Sequence, residues 1–380
     1  MLDHRNVYDA DQRTYRQSVR RFVENEIAPN FDAWELAGLV DRGLWLKAGE
    51  SGILCAQVPE EYGGTGDFRY NAVVIEESSY AGFAGPTANF TAHSDVSAGY
   101  VASYGNEQMR KTWLPRMVSG EAVCSIAMSE PAAGSDLQGL RTKAEPDGDD
   151  YLISGQKTFI SNGQHCDIAV VVARTDPEAG SKGLSLFLVE TDRPGFTRGR
   201  NLEKLGHHSA DTSELFFDRV RVPATNMLGP RGGAMSAMMS QLPHERLIIA
   251  IASIAAAQKA FDITVQYVHQ RQAFGGAIGD MQNTRFTLAG LKAELAVGWA
   301  YADQCLAELI QGNLTNEYAS IAKMWITEMH GRVVDQCLQF FGGYGFMREY
   351  EICRLYADAR VQRIYGGSNE IMREIVARTL

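Results

Sequence analysis

From about residue 6 to 118, apolar residues recur three and four positions apart, the spacing that lays a single stripe along a helix. Turns are marked by Pro59, Gly63-Gly64 and Gly85-Pro86. This predicts an α-rich segment. Between about 121 and 225 the period shortens: YLISGQKTFIS, DIAVVVART, LSLFLVET and SELFFDRVRVP are β-branched and aromatic runs broken by Gly, Pro, Asp and Asn. They read as antiparallel strands of a barrel or sandwich. After Pro230-Arg231-Gly232-Gly233 the helical period returns, with long segments at about 234–271, 280–311 and 316–341 and a shorter one beyond 350, lengths that suit a four-helix bundle. The α, then β, then α order predicts an α+β chain of three domains: 1–120 helical, 121–230 a β-barrel and 231–380 a four-helix bundle. The clefts between them are where ligands usually sit.

Composition narrows the classes. With 45% hydrophobic and 22% charged residues, the chain reads as globular. A net charge of −10, with both signs interspersed, argues against nonspecific attraction to nucleic acid or an anionic membrane. The most apolar run, Leu247 to Ala257, falls short of the roughly 18 residues needed to cross a bilayer, so it predicts a buried helix rather than a span. Six cysteines form no C-x-x-C pair and are expected as reduced, buried thiols; no His, Cys or carboxylate spacing, His207-His208 included, suggests a metal. The first residues, Met1-Leu2-Asp3-His4-Arg5, carry neither a signal-peptide nor a transit-peptide pattern, which suits a bacterial cytoplasm or the mature form of a mitochondrial matrix protein.

No G-x-G-x-x-G occurs, so a Rossmann-type nucleotide site is unsupported. The glycine-rich stretches Gln339-Phe340-Phe341-Gly342-Gly343 and Tyr365-Gly366-Gly367-Ser368 would each, alone, be an ordinary helix-ending turn. Ala127-Met128-Ser129-Glu130-Pro131-Ala132-Ala133-Gly134-Ser135-Asp136 is a tight loop that can offer backbone N–H groups.

In combination they say more. SEPAAGSD, GQKTFISNG, DTSELFFDRVRVP, RQAFG, QFFGGYG and YGGSNEIM, in this order from about residue 10 to the C-terminus, resemble the signatures of the acyl-CoA dehydrogenase family. That resemblance implies the same three-domain fold, a homotetramer and bound FAD. By position it places flavin contacts on Ile126, Met128, Ser129, Phe159 and Ser161. The adenosine and pyrophosphate half would fall to Arg271, Phe274, Gln282, Gln339, Gly343, Ser368 and Glu370, part of that set serving a neighbouring subunit. Phe159 departs from the tryptophan often found there, and Ser135 is expected near the thioester.

Making a double bond beside a thioester requires a carboxylate at the α-carbon and hydrogen-bond donors at the thioester oxygen. Many family members carry that base in a Tyr-Glu-Gly-Thr motif, where this chain has Gly366. A backbone N–H at 366 survives the change, and Gly367 beside it is expected against the substrate. The base is expected instead at Glu245 in Gln241-Leu242-Pro243-His244-Glu245-Arg246, at the opening of the first bundle helix, as in the long-chain and isovaleryl branches; Arg246 would touch the substrate or order the carboxylate. The expected reaction is α,β-dehydrogenation of an acyl-CoA, long-chain or branched, with an electron-transfer flavoprotein as acceptor. Alternatives in the same fold are a carrier-protein-bound acyl substrate, an oxygen-using oxidase and a silent flavoprotein scaffold.

Overall fold

The computed structural model describes residues 5–380. Seven helices come first: α1 (Ala10–Phe22), α2 (Phe31–Ala37), α3 (Gly43–Glu50), α4 (Phe68–Tyr80), α5 (Ala84–Phe90), α6 (Ala98–Tyr104) and α7 (Glu107–Val118). Asp9 opens α1 with a capping box closed by Gln12. Arg16 then reaches Glu76 and Glu77 of α4, and Arg20 meets Glu77 at 2.6 Å, a buried ionic seam that locks α1 onto α4. Between α5 and α6 the chain runs through a widened π-helical turn, Thr91–Ser97. Such turns often mark functional sites; this one lies at the cavity described below.

The middle of the chain forms one sheet from β1 (Cys124–Ala127), β2 (Lys143–Asp147), β3 (Asp150–Ser161), β4 (Ile168–Arg174), β5 (Leu184–Glu190), β6 (Phe196–Asn201), β7 (Thr212–Pro223) and β8 (Met227–Leu228), in spatial order β6-β7-β3-β2-β4-β5-β8 with β1 on β4. Pairing is antiparallel except for β1 with β4, in register Cys124 to Ile168, and one β2–β4 pair, Lys143 to Arg174. Strand β4 shows why its run reads as continuously apolar. Ile168, Val170 and Val172 join the large helical core, while Ala169, Val171 and Ala173 join the core inside the sheet. A strand covered on both faces has no polar alternation to display.

The C-terminal third holds α8 (Ala234–Gln270), a hairpin of β9 (Gln272–Ala273) and β10 (Gly276–Ala277), then α9 (Gln282–Ile310), α10 (Asn316–Phe341), α11 (Glu351–Ala359) and α12 (Asn369–Ala377). Helix α8 packs against α10, α9 and α4. Its 37 residues are long and apolar enough to span a bilayer by length and composition, yet 72% of its most apolar window is buried inside the protein, the behaviour of a core helix.

One local expectation is corrected. Pro243 and Glu245 do not open α8; the helix begins at Ala234, so both lie in its interior. The helix starts after Gly233, where its hydrophobic period begins, and α8 absorbs Pro243 at the cost of one i→i−4 hydrogen bond. Five of the cysteines are buried and Cys353 is half-buried; none is paired.

Candidate active site

A cavity of about 790 Å³ opens where the helical segment, the sheet and the bundle meet. Helix α8 supplies one wall through Met235, Met239, Leu242, Glu245, Arg246, Ile249, Ala252 and Ala256, a stripe at three- and four-residue spacing. The α5 segment and its π turn face it with Ala88, Thr91, Ala92 and Val96. Ile126, Met128, Ser129, Ser135, Phe159 and Ser161 close the sheet side, and Gly366 and Gly367 reach in from the loop before α12.

Glu245 is the carboxylate of this wall, 9% exposed. The Tyr100 hydroxyl on α6 donates to its Oε1 at 3.0 Å. Burial pushes the Glu245 carboxyl up to about 7, against the opposing pull of the Tyr100 hydrogen bond and the Arg246 charge. Arg246 is no surface residue: it is buried, and its Nη1 reaches Asn316 Oδ1 and Ser320 Oγ on α10, while its Nε has no partner among the described residues. His244 turns the other way, its ring edge-on to Phe68 at 4.4 Å. Gly366 and Gly367 both hold left-handed backbone, φ 66° and 88°, a conformation that favours glycine. A Cβ at 366 would overlap Ile249 Cδ1. Among the described residues the Gly366 N–H meets no acceptor.

The sheet side is organised by a pair that sequence reasoning passed over. Lys157 Nζ donates to Glu130 Oε1 at 2.9 Å and to the Met128 carbonyl at 3.0 Å, and Glu130 accepts the backbone N–H groups of Arg141 and Thr142. Both side chains are buried. The Thr158 N–H adds a bond to the Ser129 carbonyl at 3.0 Å. Two motifs far apart in the chain are thereby fused into one wall. The β3–β7 ladder slips between Lys157 and Ile160, and the bulge holds Phe159 at φ 59° with its ring 69% exposed to the cavity. Tyr100 escapes the sequence as well, because a tyrosine on a short helix carries no sequence mark of what it faces.

The remaining expected cofactor residues lie elsewhere. Arg271, Gln339 and Gly343 line a second, more open cavity of about 440 Å³ at the far end of α8, where the Arg271 guanidinium sits 6.0 Å from the Tyr344 ring centre. Glu245 and Arg271 are 26 residues apart along α8, roughly 39 Å at 1.5 Å per residue. Phe274 caps the β9–β10 hairpin at φ 53° with its ring 99% exposed. Gln282 begins α9 in solvent, Ser368 stands at the N-cap of α12, and Glu370 is exposed in its first turn. None of these four lines either cavity.

This arrangement can hold a large planar cofactor: Phe159 presents a ring face in the first cavity, and around Gly342 and Gly343 nothing lies within 4 Å of a would-be Cβ, so a ligand can approach the backbone closely. No group of His, Cys, Asp and Glu among the described residues is placed to hold a metal.

Comparison with known proteins gives matches along the whole chain. Three family profiles are found, described as Acyl-CoA dehydrogenase N-terminal domain over residues 9–121, middle domain over 125–220 and C-terminal domain over 232–380. The mitochondrial long-chain specific acyl-CoA dehydrogenase of Sus scrofa is 44% identical over 379 residues, covering 99% of this chain and 88% of that protein. The mitochondrial isovaleryl-CoA dehydrogenase of Oryza sativa subsp. japonica is 34% identical over 378 residues, 98% and 92%. The crystal structure of an acyl-CoA dehydrogenase from Geobacillus kaustophilus superposes with a TM-score of 0.96 at 45% identity, covering 98% of each chain.

Proposed function

The chain belongs to the acyl-CoA dehydrogenase family, and from that premise we propose that it oxidises a long-chain or branched acyl-CoA to the trans-2-enoyl-CoA with Glu245 as the base that takes the α-proton. The family is FAD-dependent, and FAD, when bound, supplies the acceptor for the β-hydride.

The observation that carries the reading is the pairing of Glu245 with Gly366 across one cavity. Glu245 is a buried carboxylate held near neutrality, poised to accept a proton at working pH. Opposite it, an N–H without an acceptor is available for the thioester oxygen as negative charge develops there. Arg246 keeps a positive charge beside the carboxylate, and its bonds to Asn316 and Ser320 hold the guanidinium in place. Ser135, exposed at the mouth of the cavity, and Gly367 are assigned to the substrate.

Chain length is supported by the wall beyond the base. Ala252 and Ala256 on α8 and Ala88 and Ala92 of the α5 segment line the same cavity, and these small side chains leave apolar room over roughly 16 Å of helix from Glu245 to Ala256. The similarity to long-chain and isovaleryl enzymes points the same way.

For the cofactor, Ile126, Met128, Ser129, Phe159 and Ser161 are assigned to the flavin ring. Arg271, Phe274, Gln282, Gln339, Gly343, Ser368 and Glu370 are assigned to the adenosine and pyrophosphate half. An extended flavin dinucleotide is too short to touch both Glu245 and Arg271 of one chain. Together with the fully exposed ring of Phe274 on strained backbone, this supports a homotetramer in which part of the second group, Arg271 and Phe274 among it, serves a neighbouring subunit's cofactor. An electron-transfer flavoprotein is the proposed acceptor, in a bacterial cytoplasm or a mitochondrial matrix.

The test is anaerobic flavin reduction. Glu245→Gln is expected to keep FAD and bind acyl-CoA yet reduce at least about 10²-fold more slowly; a variant reducing at the parent rate would place the base elsewhere.

A further inference from the structure

Gly366 and Gly367 are adjacent left-handed glycines, so nothing in their own backbone fixes where the Gly366 N–H points. On the N-terminal side the loop is held by its own turn: the Tyr365 N–H bonds the Val361 carbonyl at 3.3 Å, and the Tyr365 hydroxyl donates to Gln362 Oε1 at 2.7 Å. On the C-terminal side the hold comes from a residue with no assigned role. Lys323 of α10 is fully buried, and its Nζ donates to the Gly367 carbonyl and to Asn369 Oδ1, each at 2.8 Å. Asn369 in turn donates from Nδ2 to Thr327 Oγ1 and Glu328 Oε1, each at 3.0 Å, which ties the start of α12 back to α10.

We propose that Lys323 is a positioning residue for dehydrogenation: by clamping the Gly367 carbonyl and Asn369, it fixes the loop so that the Gly366 N–H stays aimed at the thioester oxygen. The inference rests on the reading of Gly366 as that donor.

A buried ammonium is a costly way to join two helices, since desolvating it takes several kcal/mol and a methionine would fill the space. Its surroundings do not make the position comfortable. Arg246 on α8 repels it, Glu370 on α12 and Glu328 on its own helix attract it, and burial together with Arg246 brings its ionisation down to about 8. What the ammonium gives that an apolar side chain cannot is directed donors on a carbonyl one residue from the proposed oxyanion site. A displacement of about 1 Å at such a site is enough to cost on the order of 10²-fold in rate.

The experiment compares FAD-loaded Glu245→Gln with Glu245→Gln/Lys323→Met and Glu245→Gln/Lys323→Arg, each saturated with dodecanoyl-CoA isotopically labelled at the thioester carbonyl, and reads the carbonyl stretch by difference infrared spectroscopy. Lys323→Gln replaces the methionine variant if that one does not fold. The expected result is a stretch lowered by hydrogen bonding in the Glu245→Gln parent, returned towards the free thioester in the Met variant and intermediate in the Arg variant. In the Glu245 background, Lys323→Met should lower kcat about 10²-fold with KM nearly unchanged. A carbonyl stretch unmoved by Lys323→Met, with only the melting temperature lowered, overturns the proposal and leaves Lys323 a structural tie. A parent that shows no polarisation at all instead overturns the donor reading of Gly366, and the positioning role falls with it.

Discussion

Tyr100 on α6 donates its hydroxyl to Glu245 Oε1 on α8 at 3.0 Å, so the proposed base is tuned from a different segment of the chain than the one that carries it. The bond favours the ionised carboxylate and opposes the burial that pushes Glu245 up to about 7.

Removing that donor should therefore raise the carboxyl further. Since the base works only when ionised, the acid limb of the pH profile for flavin reduction in Tyr100→Phe is expected to move to higher pH by about one unit, the worth of one hydrogen bond to a charged group. The rate well above that limb should be little changed. Stopped-flow reduction across pH reads both; a limb that stays in place refutes the coupling.

The same carboxylate should cost stability. Its ordinary value is 4.5 and its folded value about 7, so below the first it is protonated both folded and unfolded and carries no penalty. As pH rises through that window the unfolded chain ionises first, the folded state loses ground, and the full cost is present above about 7. Glu245→Gln is expected to gain about 3 kcal/mol at pH 8, with the gain shrinking as pH falls towards 4.5. Denaturant titrations at several pH values check it, and a pH-independent difference would contradict it.

If positions 245 and 366 are alternative seats for one base, Glu245→Gly with Gly366→Glu should recover some of the flavin reduction that Glu245→Gly loses. The structure shows an obstacle: a side chain at 366 meets Ile249 Cδ1 and must adopt left-handed backbone. Recovery in the double variant should thus be slight, and adding Ile249→Val, which removes the obstructing carbon, should increase it. A folded, flavin-loaded triple variant as inactive as Glu245→Gly would argue against a shared α-carbon.

The apolar room beyond Glu245 yields a selectivity prediction. Ala252→Leu adds bulk within it, two turns beyond Glu245. kcat/KM for dodecanoyl-CoA should fall at least about tenfold relative to butyryl-CoA, the scale set by misfitting a few methylenes in an apolar pocket. Equal losses on both substrates would place the chain elsewhere.

Much of this is legible in the sequence, and the reasons differ by element. The three textures follow from hydrophobic period, a property of neighbours in sequence. The hydrophobic period places α8 at about 234–271, but the habit of proline in a first turn draws Glu245 to its opening; the nine helical residues before Pro243 show that packing against α4 and α10 outweighs one lost hydrogen bond. Glu245 is legible as a candidate through an exchange between two motifs. Tyr100, the Glu130–Lys157 pair and Lys323 are not, because each acts across a contact between distant segments and no local pattern records who sits opposite. The separation of Arg271 from the first cavity is likewise a matter of distance along a rod, which motif order does not express.

That rod sets a rule for how α8 tolerates change. Helical geometry turns each residue by about 100° and advances it 1.5 Å, so deleting one residue between Glu245 and Arg271 would swing one end around the axis relative to the other while barely altering the length. Substitutions inside the segment leave both ends aimed as before. Insertions and deletions do not, and even a compensated pair would have to preserve whole turns. Variation in chain length among working versions of this protein is accordingly expected in the loops on either side of α8, with the count of residues from Glu245 to Arg271 held fixed.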